Sequence, residues 1–303
     1  MFWALLSGLG ACADSAYYIV NRKFLPSVEP DLLAAAGFLF SSLFLLPVAA
    51  VRGIPAIGPD FLVAVAATCI INVVGTTLVF RALKTTDLSL AVPMLCFTPL
   101  FLILTAGLML GEIPSLPGIM GILVIVSGSY ILNTAAEHER LLDPFRAMIS
   151  HPGVLSMLVV SFLYAISIGF DKMVVLSSDT VFGSGVVFFV LGSAFLLIFL
   201  QKKRSEKKSA PGSSPTPREF PANAARDVFT AGSVIGLLLA LEAIAINEAY
   251  LLQIVPYVSA IKRMSILLTV LYGTIVIREE EVYRRISGAG LMVAGAVLIL
   301  LFP

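Results

Sequence analysis

The chain has 303 residues, 58% of them hydrophobic and 13% charged, with a formal net charge of +1 and a mean hydropathy of +0.99. That composition cannot give a soluble domain its polar surface, and the near-neutral charge leaves no footprint for nucleic acid or an acidic partner. It describes an all-α polytopic membrane protein set in a lipid bilayer.

A helix crosses the hydrocarbon in about 20 apolar residues at ~1.5 Å each. Ten segments qualify, at approximately 2–20, 32–51, 61–80, 88–110, 116–134, 154–174, 180–200, 228–250, 256–277 and 286–302. The first begins FWALLSGLGACA, which mimics a signal peptide. No Lys or Arg precedes its apolar core, so it reads as a span. In the fourth, Pro93 and Pro99 predict a kinked helix. The linker 136–153 carries Asp143-Pro144, a good N-cap and first-turn pair for a short interfacial helix. His138 and His151 both fall in this region, which leaves no His-based metal site; no metal or cofactor is expected. Residues 201–227 read QKKRSEKKSAPGSSPTPREFPANAARD, a Lys-, Ser- and Pro-rich stretch with little to bury, predicted to be a disordered, solvated loop. Cys12, Cys69 and Cys96 lie in apolar runs and read as packing residues rather than disulfides.

The chain also repeats. An ungapped shift of 167 residues places Ala82 on Ala249, Leu100 on Leu267, Glu112 on Glu279, Gly121 on Gly288 and Gly128 on Gly295. The shared punctuation is a span, an acidic turn with Glu, nine residues to a Gly and seven more to a second. Two halves follow, 1–135 and 154–303, each of five spans. An odd number of spans inserts the second half upside down relative to the first. Inverted repeats place a substrate site between the halves near the membrane midplane.

Each half closes with a comparable turn and a small-residue final helix, LMLGEIPSLPGIMG and VIREEEVYRRISGAG. In this the chain resembles the drug/metabolite transporter superfamily, and within it the EamA-like branch. The second copy departs from the pattern, with Arg278 where the first has Gly111. The resemblance implies a secondary transporter, an exporter or exchanger of small metabolites with no ATP-binding domain. It further implies an integral protein of the cytoplasmic (inner) membrane of a prokaryote, as a monomer or homodimer. No Walker loop, HExxH or nucleophile–base pair is present, and no enzyme activity is expected.

Ionisable residues inside a span cost about 2.5–3.5 kcal/mol each at the helix centre, so each needs a reason. Those of interest are Asp14, Glu242, Glu248, Lys262 and Arg263. Asp171 and Lys172 are set aside as an end-of-helix pair whose lysine snorkels to the interface. Three readings compete for Lys262 and Arg263: snorkelling, an ion pair with Glu248, and a site for an anionic group. The repeat favours the third. Their counterparts in the first half are Leu95 and Cys96, and those of Glu242 and Glu248 are Gly75 and Arg81. Charges that break the symmetry suit an asymmetric ligand. The pair also resembles the Lys-Arg of the sugar-phosphate antiporters in the same superfamily, which implies phosphate binding at Lys262 and Arg263. Asn72, four residues before Thr76 on one helix face, and Tyr257 and Ser259 beside the cations complete the expected binding set. Ser259, Ser265 and Thr269 form a polar stripe that serves equally well as helix–helix glue. Glu242 and Asp14 are candidates for proton coupling, with structural hydrogen bonding the alternative.

The expected cargo is therefore a small anionic or zwitterionic metabolite. The alternative is proton-coupled export of cationic drugs, bound by Glu242 and Asp14 with the Lys-Arg pair neutralised by Glu248. Orientation stays open. Loops after odd-numbered spans hold sixteen Lys and Arg against two on the other side. That count puts both termini outside, whereas the resemblance implies both inside.

Overall fold

The computed structural model describes residues 1–86, 91–133, 152–209, 224–272 and 282–302, and every element among them is helical. In order these are α1 (Phe2–Phe24), α2 (Pro30–Arg52), α3 (Phe61–Thr85), a 3-10 helix (Val92–Phe97), α4 (Thr98–Leu110) and α5 (Leu116–Asn133). The second series is α6 (Pro152–Leu176), α7 (Thr180–Ser209), α8 (Ala224–Leu252), α9 (Val255–Lys262), α10 (Met264–Tyr272) and α11 (Val282–Leu301). Among the described residues, six helical stretches are long and apolar enough to cross a membrane, and Leu116–Leu132 and Ile286–Leu301 are shorter apolar helices.

Local chemistry explains where these helices begin and end. α2 opens with Pro30, whose missing N–H costs nothing at a helix start, and Asp31 sits in its first turn. It stops at Gly53, whose φ of 97° no β-carbon-bearing residue adopts easily. α4 stops at Gly111, left-handed at φ 68°, with its N–H donating to Ala106 O.

Two expected spans are locally irregular. In the fourth, Pro93 lies in the first turn of the 3-10 segment and Pro99 in the first turn of α4, and the two run on without a gap. In the ninth, Arg263 forms a turn between α9 and α10 with helical backbone angles. Helix also continues to Ser209 and resumes at Ala224, so the predicted loop 201–227 is helical at both ends. Residues 210–223, and the interfacial helix expected at Asp143-Pro144, lie outside the described residues.

Packing follows a reciprocal pattern. α3 lies against α6 and α1 against α8, while α2 packs along both α7 and α8. α5 and α11 pack on each other, antiparallel, through the glycines singled out by the repeat. A β-carbon on Gly121 would stand 2.9 Å from Gly295 O, and one on Gly295 2.6 Å from Gly121 O. Gly128 and Gly288 meet in the same way, at 2.6 and 2.9 Å. Only glycine permits such close backbone approach. The largest core cluster joins α5 and α11 to α9 through Ile122, Ile125, Met292, Ile299, Tyr257 and Val258. This holds the short α9 in place beside the cavity.

Candidate functional site

A cavity of about 200 Å³ lies among α2, α3, α6, α7, α8 and α9. Its walls are mostly apolar, with Phe38, Phe188, Val187, Leu191 and Ile246 among them. Its polar lining is Asn72, Asp171, Ser184, Glu242, Asn247, Tyr250 and Lys262. From α8, Leu239, Glu242, Ala243, Ile246 and Tyr250 all face it, the spacing of one helical face.

Lys262 forms an ion pair with Glu242, whose side chain is 12% exposed against 33% for the lysine. Lys262 is the last residue of α9, at the turn through Arg263 that leads directly into α10. Asp14, buried on α1, is within electrostatic reach of both Glu242 and Lys262.

Of the residues expected from the sequence, Asn72, Glu242 and Lys262 line the cavity together. Arg263 is half-buried at the turn and makes no ion pair among the described residues; its N–H bonds back to Ser259 O and Ala260 O. Glu248 is half-buried and likewise makes no ion pair among the described residues. It lies six residues beyond Glu242, so it points roughly 120° away around α8. The acid that meets the lysine is therefore Glu242, not Glu248. Tyr257 turns to the core: its hydroxyl accepts from Ser115 N–H at 2.9 Å, lies 3.0 Å from Ser115 Oγ and covers Gly118. Ser259 is buried in α9. On α10, Thr269 donates to Ser265 O at 2.8 Å and lies 2.9 Å from Ser15 Oγ on α1, an inter-helix tie.

Two further charges behave differently from the sequence reading. Lys172 does not snorkel. It is buried, pairs with Glu112 and donates to Gln253 O at 3.3 Å. The other oxygen of Glu112 accepts from Val255 N–H at 2.7 Å, capping α9. The Glu of the repeated turn thus ties α4, α6 and α9 into one junction. Asp171, set aside with Lys172, lines the cavity at the end of a chain of hydrogen bonds. Asn72 Nδ2 donates to Ser167 Oγ at 2.8 Å. Ser167 Oγ lies 2.7 Å from Thr68 Oγ1, which donates to Asp171 Oδ1 at 2.6 Å. Across the cavity Asn247 Nδ2 donates to Ser184 Oγ at 2.8 Å. One signal for Asp171 was available. An aspartate stem is too short to snorkel, so that argument never covered it. Asn247 and Ser184 carried no signal beyond polarity.

Lipid-length helices surround a charged, mostly apolar-walled cavity, an arrangement that suits a membrane protein binding a small molecule. Residues 1–134 match the model of the EamA-like transporter family, so the resemblance to that branch is borne out over the first half of the chain. One solved crystal structure is similar in fold, with a TM-score of 0.73 at 16% identity, covering 99% of this chain and 99% of its own. No curated protein matches the chain.

Proposed function

We propose that this protein is a secondary transporter, an exporter or exchanger, that moves a small anionic or zwitterionic metabolite by alternating access. The observation that carries this reading is the Lys262–Glu242 pair in the wall of the cavity. An intramembrane cation held by one carboxylate can exchange that partner for the carboxylate or phosphate of a cargo. Arg263, one residue on and with no ion pair among the described residues, adds positive charge beside it. Displaced from Lys262, Glu242 is left buried and is stabilised by a proton, which couples cargo entry to proton uptake. Asp14, within reach of both groups, biases that exchange.

Several features support ten spans in two inverted halves. The reciprocal glycine contacts of α5 and α11, the matched pairs α3–α6 and α1–α8, and a local irregularity in the fourth span of each half are all related by the sequence repeat. We place the protein in the inner membrane of a prokaryote.

A second reading, export of organic cations, has its own support. Glu242 already neutralises Lys262, and Asp171 adds a second carboxyl to the cavity lining. Counterflow by the purified protein in liposomes separates the two. Lys262→Gln abolishes exchange of the anionic cargo under the first reading and spares transport of an amine under the second. Under the first, Glu242→Gln also flattens the pH dependence of transport while substrate exchange survives. An unchanged pH profile in that variant refutes the coupling role.

A further inference from the structure

The cavity holds more charge than the Lys262–Glu242 pair explains. Asp171 faces the same space, and among the described residues no Lys or Arg lies within 4 Å of it. Its neighbour Lys172 offers no relief. That residue leaves the helix about 100° away and is held by Glu112 and Gln253 O.

The hydrogen bonds around Asp171 have a direction. Thr68 donates to Oδ1, so its oxygen is left to accept from Ser167, whose oxygen in turn accepts from Asn72 Nδ2. Thr68 Oγ1 also accepts from Asn72 Nδ2 at 3.3 Å, and the chain terminates on the carboxyl of Asp171. Donors aligned this way polarise one another toward the carboxyl. They serve one oxygen only. Oδ2 receives no donor among the described residues, and Asp171 lines the cavity.

We propose that Asp171 is a second charged subsite of the cavity and takes a protonated amine of the transported molecule. An ammonium group brings both things that Oδ2 lacks, a positive charge and an N–H donor. A bare metal ion is a poorer fit, because it requires several oxygen ligands and the nearby hydroxyls already direct their protons at the carboxylate. With Lys262 in the same cavity, and Phe38, Phe188 and Leu191 supplying apolar wall, the complementary cargo is a compact zwitterion with an apolar body. This rests on the anion-binding role given to Lys262 above and narrows it.

The test uses purified protein and four probes with one apolar body: phenylalanine, its N-acetyl derivative, 3-phenylpropionate and phenethylamine. Affinity is read by ligand-induced thermal stabilisation and checked by isothermal titration. Wild-type protein is expected to bind phenylalanine at least about tenfold more tightly than N-acetylphenylalanine, the scale of a charge-assisted hydrogen bond. Asp171→Asn is expected to lose that preference and to weaken phenethylamine similarly, while 3-phenylpropionate is unaffected; Asp171→Glu retains part of it. Lys262→Gln shows the converse, weakening the carboxylate-bearing probes. Equal wild-type binding of phenylalanine and its N-acetyl derivative overturns the proposal with no variant required. So does a wild type stabilised by neither phenylalanine nor phenethylamine, or an Asp171→Asn variant that weakens all four probes alike. The two readings fail separately. A wild type with no amine preference but with an intact Lys262 effect removes the Asp171 subsite alone. Tight binding of phenethylamine with no response to carboxylates removes the anion site and leaves Asp171 standing.

Discussion

The pairing of Lys262 with Glu242 rather than Glu248 can be decided by a double-mutant cycle. Lys262→Gln leaves Glu242 as a carboxylate with a side chain only 12% exposed and no cation beside it. Stranding a buried charge costs about 3–5 kcal/mol in general. Here the lysine end is 33% exposed to the cavity, so water softens the loss and the lower end, about 3 kcal/mol, is the appropriate scale. Glu242→Gln strands the lysine and costs less, because a long amine on the open side can be hydrated. The double variant removes both charges and keeps two amides able to hydrogen-bond, so most of the loss returns. The coupling energy is expected at about 2 kcal/mol. In a thermal unfolding assay in detergent, about 3 kcal/mol corresponds to a midpoint shift of roughly 5–10 °C for a chain of this size. Glu248→Gln is the control: with no ion pair to break, it is expected to move stability by no more than about 0.5 kcal/mol. Strict additivity of the two single variants, or a Glu248→Gln loss that Lys262→Gln masks, refutes the assignment of partners.

Three other perturbations probe the scaffold. Glu112→Gln removes the charge that holds Lys172 and weakens the cap on α9, so a loss of about 3 kcal/mol is expected, with Lys172→Met smaller in that background than alone. Gly128→Ala and Gly295→Ala set a methyl 2.6 Å from a backbone carbonyl of the facing helix and are expected to cost about 1–3 kcal/mol, whereas Gly8→Ala and Gly290→Ala, with nothing within 4 Å, are near neutral or slightly stabilising in thermal melts. Reporter fusions at Met1 and Pro303 are expected on the same side of the membrane, and opposite sides refute an even number of spans.

Most of the architecture was legible because lipid imposes one rule along the whole chain. Wherever the solvent is hydrocarbon, the backbone must satisfy itself, and length and hydropathy then mark the helices. Hence α2 and α3 were expected at 32–51 and 61–80, and are found at Pro30–Arg52 and Phe61–Thr85. The rule does not resolve a local irregularity such as the turn at Arg263, because hydropathy sees a single run through both pieces.

Partner choice was illegible for a related reason. Sequence gives the depth of Glu248 and Glu242 but not which face of α8 meets α9, and a rotation of roughly 120° separates the two carboxylates. The cue lay in the company they keep. Glu242 shares its face with Leu239, Ile246 and Tyr250, residues that line the cavity from α8. Treating Asp171 and Lys172 as one unit hid the remaining charge for the opposite reason. Adjacent residues on a helix diverge, and these two serve different structures: Lys172 the junction that caps α9, Asp171 the cavity. A charged dipeptide near the end of a span is therefore two separate questions. Residues that differ across the sequence repeat, Glu242 against Gly75 and Lys262 against Leu95, are the ones that meet. The glycines common to both halves, Gly121 with Gly288 and Gly128 with Gly295, hold α5 against α11 away from the cavity. What the halves share sets the scaffold, and where they diverge the charged wall of the cavity is made.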